Sequence, residues 1–351
     1  MNDWSIRVLS DVIELQRGHD LPSQDRVEGE VPIIGSFGIT GRHNEAKYDG
    51  PGVAIGRSGA SIGTATFVAE PYWPLNTCLF VRDFKGNDER WVFRLLDSTD
   101  FMAFNSGSAQ PSLNRNFLNG IPVLVPSLPE QRAIAEVLGA LDDKIAANID
   151  VVRIAMALLT ALYDEKTDHA SSRLVPVADL VRRLVQTRKL SKVDAIRDGV
   201  VPIFDQSDEG LLGFASGEGY FHASPSAPVL YFGDHTCKLR VATQDFFVGP
   251  NTIPFVGDGV DTTTLFFVLQ GVQKQEEYKR HWQELMNKRV PLPEPANQVE
   301  ITDLATGLFS LRTTLEVENR QLVALRDTLL PELMSGRLRV KDAEKKIEEV
   351  V

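Results

Sequence analysis

The 351-residue chain carries 37 Lys and Arg against 48 Asp and Glu, a formal net charge of −11. That length exceeds one ordinary domain and suits two of about 125 residues with additional helices. The acidic balance excludes a protein that coats nucleic acid by bulk charge, but not one with a local basic groove. No apolar run reads as long enough to cross a membrane and the opening MNDWSIRVLSDV lacks a signal-peptide pattern, so a cytoplasmic protein is expected.

Residues 1–126 read as a first β-rich globule whose strand Val31-Pro32-Ile33 is an early landmark. The run Gly56-Arg57-Ser58-Gly59-Ala60-Ser61-Ile62-Gly63 lacks the Lys-Ser/Thr ending of a phosphate-binding loop and reads as tight turns. Glu70-Pro71-Tyr72-Trp73 is superficially similar to the Pro-Pro-aromatic motif of amino-methyltransferases. It lacks the second Pro and a preceding Gly-rich strand, and reads as a loop. Cys78, like Cys237 later on, sits in a strand-like run without CxxC or CxxH spacing. Both read as small buried residues, and no metal site is expected. Basic and amide groups gather at Arg17-Gly18-His19, Arg42-His43-Asn44 and Arg57-Ser58, with Gln110 further along.

Residues 127–169 then read as a long helix. Ile134, Leu138, Leu141, Ile145, Asn148, Val152, Ala155, Leu159 and Leu162 alternate steps of four and three, the seam of a coiled coil. Pro129 suits its first turn. Val137, Ile149, Met156 and Tyr163 fall on the outer face and are expected to need a partner's cover.

Residues 170–295 repeat the globule. Val201-Pro202-Ile203 echoes Val31-Pro32-Ile33 at an offset of 170, and Asn251-Thr252-x-x-Phe255-Val256 echoes Asn76-Thr77-x-x-Phe80-Val81 at 175. A fixed long offset means duplicated domains rather than a solenoid. This segment holds 14 basic and 15 acidic side chains, against 4 and 8 in 127–169, so its local charge is close to balanced. Candidate nucleic-acid contacts here are Gln186, Arg188, Lys189, Lys238, Arg240, Lys279 and Arg280.

Residues 296–351 supply the second helix and a tail, with a seam of Ile301, Leu304, Leu308, Leu311, Leu315, Glu318, Leu322, Leu325 and Leu329; Pro331 and Gly336 are expected to end or kink it. Each helix of about 35–38 residues would be roughly 50–55 Å long. The fold class expected is α+β: two β-rich domains separated by two long coiled-coil helices, with pseudo-twofold internal repetition; that the helices run antiparallel is what the family resemblance given below implies. Each seam has one polar break near its middle, Asn148 and Glu318 flanked by Asn319, and an antiparallel pair should bring them together. Such a break fixes register. Asn148→Leu is accordingly expected to stabilise the pair while loosening its register.

No HExxH, Gly-x-Ser-x-Gly or spaced pair of catalytic carboxylates occurs, so no catalytic residue is assigned. The opening WSIRVLSDVIELQRGHDLP, the segment SGSAQPSLNRNFLNGIPVLVPSLPEQRAIAEVLGALDDKI and the ending LVALRDTLLPELMSGRLRV resemble the specificity subunit of type I restriction-modification systems. The resemblance implies a non-catalytic subunit whose two target-recognition domains each read half of a bipartite double-stranded DNA site. Two adenine-methylating modification subunits using S-adenosylmethionine, and two motor and nuclease subunits using ATP and Mg, would be its partners. No cofactor would bind this chain, and no membrane is implied. Ser106-Gly107-Ser108-Ala109-Gln110-Pro111 has no counterpart before the second helix, so the two half-sites should differ. The second joint has Ala296-Asn297-Gln298 where the family has an acidic pair before Gln, which leaves the capping there open. The chain is also short for that family, which implies trimmed recognition loops. Two alternatives stay open: a bipartite modification or phage-defence system without motors, and a coiled-coil scaffold that binds proteins.

Overall fold

The computed structural model describes residues 4–105, 112–167, 172–196, 199–275 and 279–349. In chain order it runs β1 (Ser5–Val8), α1 (Leu9–Val12), β2 (Glu14–Arg17), β3 (Val31–Gly35), β4 (Gly38–His43), β5 (Gly52–Gly56), β6 (Ala65–Val68), β7 (Trp73–Pro74), β8 (Cys78–Asp83), α2 (Glu89–Asp97), α3 (Arg115–Leu118), β9 (Pro122–Val125) and the long α4 (Leu128–Lys166). It continues with β10 (Arg173–Pro176), β11 (Val181–Arg183), β12 (Val201–Phe204), β13 (Leu211–Ala215), β14 (Val229–Gly233), β15 (Leu239–Ala242), β16 (Phe247–Val248), β17 (Thr252–Gly257), α5 (Thr262–Leu269), α6 (Trp282–Met286), β18 (Arg289–Leu292), the long α7 (Pro295–Met334) and α8 (Val340–Glu348). The chain divides into two units, one of residues 1–145 and 320–351 and the other of 146–319.

In the first unit a four-stranded sheet has the order β2-β8-β5-β6, a three-stranded sheet β4-β3-β7, and β1 pairs with β9. Every residue of β5 is buried because its two faces serve different cores. Val53 and Ile55 join Trp91, Leu96, Ile134 and Leu138 on the helical side, while Ala54 joins Ile34, Tyr72, Cys78 and Phe80. The period of two along a strand does this sorting. The Gly56–Gly63 run closes the hairpin between β5 and β6 with Gly63 at φ 80, as turns rather than a phosphate loop. Trp73 and Pro74 extend beyond the expected loop into a short parallel pairing with β3.

The second unit repeats this topology strand for strand: β11-β17-β14-β15, β13-β12-β16, and β10 with β18. The sorting recurs on β14, whose Leu230 and Phe232 face the helices while Val229 and Tyr231 face the smaller sheet. Each fully buried side chain of this size contributes about 1.5–3 kcal/mol. Cys78 is buried as expected, but Cys237 is half-buried in a turn at φ 54, not in a strand.

The joints into the long helices are duplicated as well. Gln131, only 2% exposed, donates to the Pro126 carbonyl (3.1 Å) and to Asn87 Oδ1 (2.8 Å), and accepts from the Asp88 N–H. Gln298 donates to the Pro293 carbonyl at 2.8 Å, so this part of the joint survives the loss of the acidic pair.

The helices have 39 and 40 residues. In the first unit Asp142 of α4 bonds Arg326 of α7 at 2.9 Å. In the second, Asn148 Nδ2 donates to Glu318 Oε2 (2.9 Å) and Asn319 Oδ1 (2.8 Å), so advancing along α4 means retreating along α7. The pairing is antiparallel, and the polar breaks meet. Seam residues Ile134, Leu138, Leu141 and Leu159 are buried. The second seam is corrected in its first half. Ile301 is buried as expected, but Leu304 (44%) and Leu311 (40%) are exposed, and Ala305 and Phe309 are buried in their place. That stripe steps by four because it faces the apolar α5, with Phe266 and Phe309 edge to face at 6.4 Å. Pro331 lies inside α7 and does not end it; Gly336 at φ 69 follows the last turn.

Two further expectations change. Val137 (7%) and Tyr163 (4%) are buried, Ile149 is exposed as expected, and the outward apolar face of α4 is formed by Val151, Ile154 and Leu158, each 45–58% exposed. With one stripe on α7 and a second facing outward, α4 holds an 18-residue window of mean hydropathy 1.8, of which 11% is buried. By length and composition that window is enough to cross a membrane, contrary to the sequence reading.

Candidate nucleic-acid interface

In the first unit, Arg17 at the end of β2 and Arg57 just after β5 converge on one recess of about 310 Å³, which Leu79, Ser112, Leu113, Asn114 and Arg115 complete. The backbone fixes this convergence. Leu113 N–H donates to the Arg57 carbonyl (2.8 Å), Arg57 N–H to the Thr77 carbonyl (3.0 Å), and Ser58 bridges to Ser112. Arg57 Nη1 donates to the Asn76 carbonyl at 3.2 Å, and Arg17 lies 3.5 Å from Asp20 at an exposed rim. Arg115 was not singled out from the sequence, because its neighbours there are polar and its role depends on a chain return of about sixty residues from Arg57.

Other candidates in this unit are differently placed. His43 is 5% exposed, with Nδ1 shared between the N–H and carbonyl of Val27 and its ring edge-on to Trp73 at 5.4 Å; its part is structural. Arg42 donates to the Glu30 carbonyl and lies 3.7 Å from its carboxylate, while Asn44 is exposed beside it. His19 hydrogen-bonds Tyr48 at 3.0 Å and stacks on it. Burial, reinforced by Lys47, holds its pKa below the ordinary value, so it is neutral at pH 7 and adds no charge for a phosphate. Gln110 lies outside the described residues.

In the second unit most candidate cations are already engaged. Arg188 pairs with Asp194 (2.6 Å), Lys279 with Glu284 (2.9 Å), Lys238 with Asp208, and Arg280 lies 3.9 Å from Asp234. Arg240 staples a turn by donating to the carbonyls of Ser207 (2.8 Å) and Asp208 (2.7 Å), and Lys189 donates to that of Thr252 (2.6 Å). Gln186 accepts from Val248 N–H and donates to the Arg188 carbonyl, bracing the loop. Arg182 and Arg183, exposed on the edge strand β11, also escaped the sequence reading. Among the described residues no group of three or more potential metal ligands is found.

The histidines give a direct check of these electrostatics. His222 bonds Asp245 at 2.9 Å, and that hydrogen bond and charge raise its pKa. By NMR, His222 is expected to titrate above and His19 below the ordinary value of about 6.5. The His222–Asp245 attraction is therefore present at acid pH and fades as pH rises through the raised pKa. Asp245→Asn should return His222 towards the ordinary value; an unshifted titration in the wild type would contradict the pairing.

Residues 1–150 match the family model of the type I restriction modification DNA specificity domain. The EcoprrI type I restriction enzyme specificity subunit of Escherichia coli is 26% identical over 153 residues, which is 42% of this chain and 38% of that subunit's length. Among solved structures, the S subunit of a type I restriction-modification system from M. genitalium superposes with a TM-score of 0.62 at 15% identity, covering 95% of this chain and 96% of that one. That likeness is one of fold.

Proposed function

We propose that this chain, whose residues 1–150 match the type I restriction modification DNA specificity domain, is a specificity subunit that addresses a modification complex to an asymmetric bipartite DNA site. Residues 1–126 and 170–295 would be its target-recognition domains, each reading one half-site. The observation that carries this reading is the strand-for-strand repetition of three sheets in two units, each built onto the same antiparallel helix pair. Two copies of one scaffold bearing different loops suit two different half-sites, because sequence is read by side chains reaching base edges while phosphate contacts set position. Its part is non-catalytic.

The outward apolar face of α4, with Ile154 and Leu158 each above half exposed, supports docking of two adenine-methylating subunits. S-adenosylmethionine would then belong to those subunits, and ATP and Mg to two restriction and translocation subunits. This chain would hold no cofactor. The same demand for cover favours assembly over a membrane, because Asn148 and the ionic contacts Asp142–Arg326 lie on the face turned to α7. We place the complex in the cytoplasm.

Replacing residues 170–295 with the corresponding segment of a related subunit, followed by methylome sequencing of the host, tests the division of labour. One half of the methylated sequence should change completely while the other half and the spacer stay the same. A swap that alters both halves or only the spacer would refute independent reading.

A further inference from the structure

The arginine recess of the first unit has a more specific chemistry than general DNA affinity. Resting on the DNA-reading function above, we propose that Arg17, Arg57 and Arg115 together hold one backbone phosphate of the duplex, making the first unit its electrostatic anchor. Three arginines line the recess and, among the described residues, no carboxylate does; at the rim Asp20 lies 3.5 Å from Arg17 and accepts from Asn76 Nδ2. A guanidinium presents five donors in a planar fork that matches phosphate oxygens. Arg57 spends one of these on the Asn76 carbonyl, which orients the fork without neutralising it. Arg115 forms no ion pair among the described residues. Asn114 accepts the Asn116 N–H through Oδ1, so its amide donors stay available beside Ser112.

The lining also argues against a base as the occupant. No aromatic ring lines the recess among the described residues, whereas a splayed base is held by stacking. Leu79 and Leu113 give it a low-dielectric floor, which strengthens charge-assisted bonds to an oxyanion. In the second unit the candidate cations are engaged differently. Arg188, Lys238, Lys279 and Arg280 each face a carboxylate, and Lys189 and Arg240 are bonded to backbone carbonyls. A cation already neutralised in the free protein releases little when DNA arrives. The recess should therefore contribute to the salt-dependent part of binding.

The test uses the full chain assembled with its modification subunits, on cognate and scrambled duplexes, with affinity followed against salt concentration. Arg115→Ala should weaken binding to both duplexes by the same factor, leave their ratio unchanged, and reduce the slope of log affinity against log salt by about one. Arg115→Lys should restore most of that slope. Thermal unfolding of each variant separates loss of fold from loss of contact. An Arg115→Ala complex that melts as the wild type and keeps the full slope overturns the proposal, as does one that loses discrimination at a single base pair, which would make the recess a base reader. Inorganic phosphate titrated against the chain distinguishes a free-anion site: saturation of the recess with no effect on DNA affinity also overturns it. If the wild-type complex fails to discriminate cognate from scrambled DNA at all, the DNA-reading function fails, whatever Arg115 does.

Discussion

Arg94→Ala is expected to destabilise the first unit by about 2–4 kcal/mol in urea unfolding. Arg94, with a side chain 7% exposed, projects from α2 and pairs closely with Asp142 of α4, whose second oxygen takes Arg326 of α7 at 2.9 Å. Burial pulls the guanidinium below its ordinary pKa, Asp97 opposes that shift, and Arg326 and Arg90 add to it. Removing one partner of a buried ion pair strands the other and commonly costs about 3–5 kcal/mol. Here the loss is smaller, because Asp142 is 32% exposed and keeps Arg326. The double variant Arg94→Met with Asp142→Leu should recover much of the loss, since apolar groups of similar volume often replace a buried pair without penalty. If Arg94→Ala unfolds at the wild-type urea concentration, the network does not tie α2 to the helices.

The same joint in the second unit is apolar. The helix corresponding to α2 is α5, whose Phe266 and Phe267 pack with Tyr163 and Phe309 in place of charges. This difference shows what the amino-acid sequence discloses and what it hides. Duplication and the polar breaks at Asn148, Glu318 and Asn319 were legible because they depend on periodicity, a one-dimensional property, whereas the antiparallel sense that brings the breaks together came with the family resemblance. The exchange of Leu304 and Leu311 for Ala305 and Phe309 was not, because the seam there answers to α5 rather than to another helix. Candidate contacts were the least legible. Arg188 and Lys238 look alike on paper, yet Asp194 and Asp208 engage them in the folded unit, while Arg115 gains its place from a strand bridge between Ser58 and Ser112. Charge in a sequence names a cation; only tertiary structure says whether it is already spent.

Asn148→Leu is expected to lower the stability of the second unit by about 1 kcal/mol, opposite in sign to the expectation from periodicity alone. Periodicity treats the asparagine as a polar fault in an apolar seam, but the side chain is 3% exposed and both amide hydrogens are used, at 2.9 Å on Glu318 and 2.8 Å on Asn319. A hydrogen bond to a charged group is worth about 1.5–3 kcal/mol and a neutral one about 0.5–1.5. A leucine in the same place returns about 1.5–3 through burial, so the balance is a small loss. The sign should reverse when Glu318 and Asn319 are also replaced by leucine, giving a pair about 1–4 kcal/mol more stable than the wild type. That gain removes the contact that distinguishes the native register of the second unit's seam, since a slip of one heptad there, roughly 10 Å along the helix, would face leucine with leucine. Cysteine pairs placed across α4 and α7, one set in native register and one a heptad away, report this directly by disulfide formation. The wild type should close only the native set, and the triple-leucine variant both. A triple variant that stays in a single register, or an Asn148→Leu protein more stable than the wild type, would show that packing rather than this hydrogen-bonded triad sets the alignment of the helices.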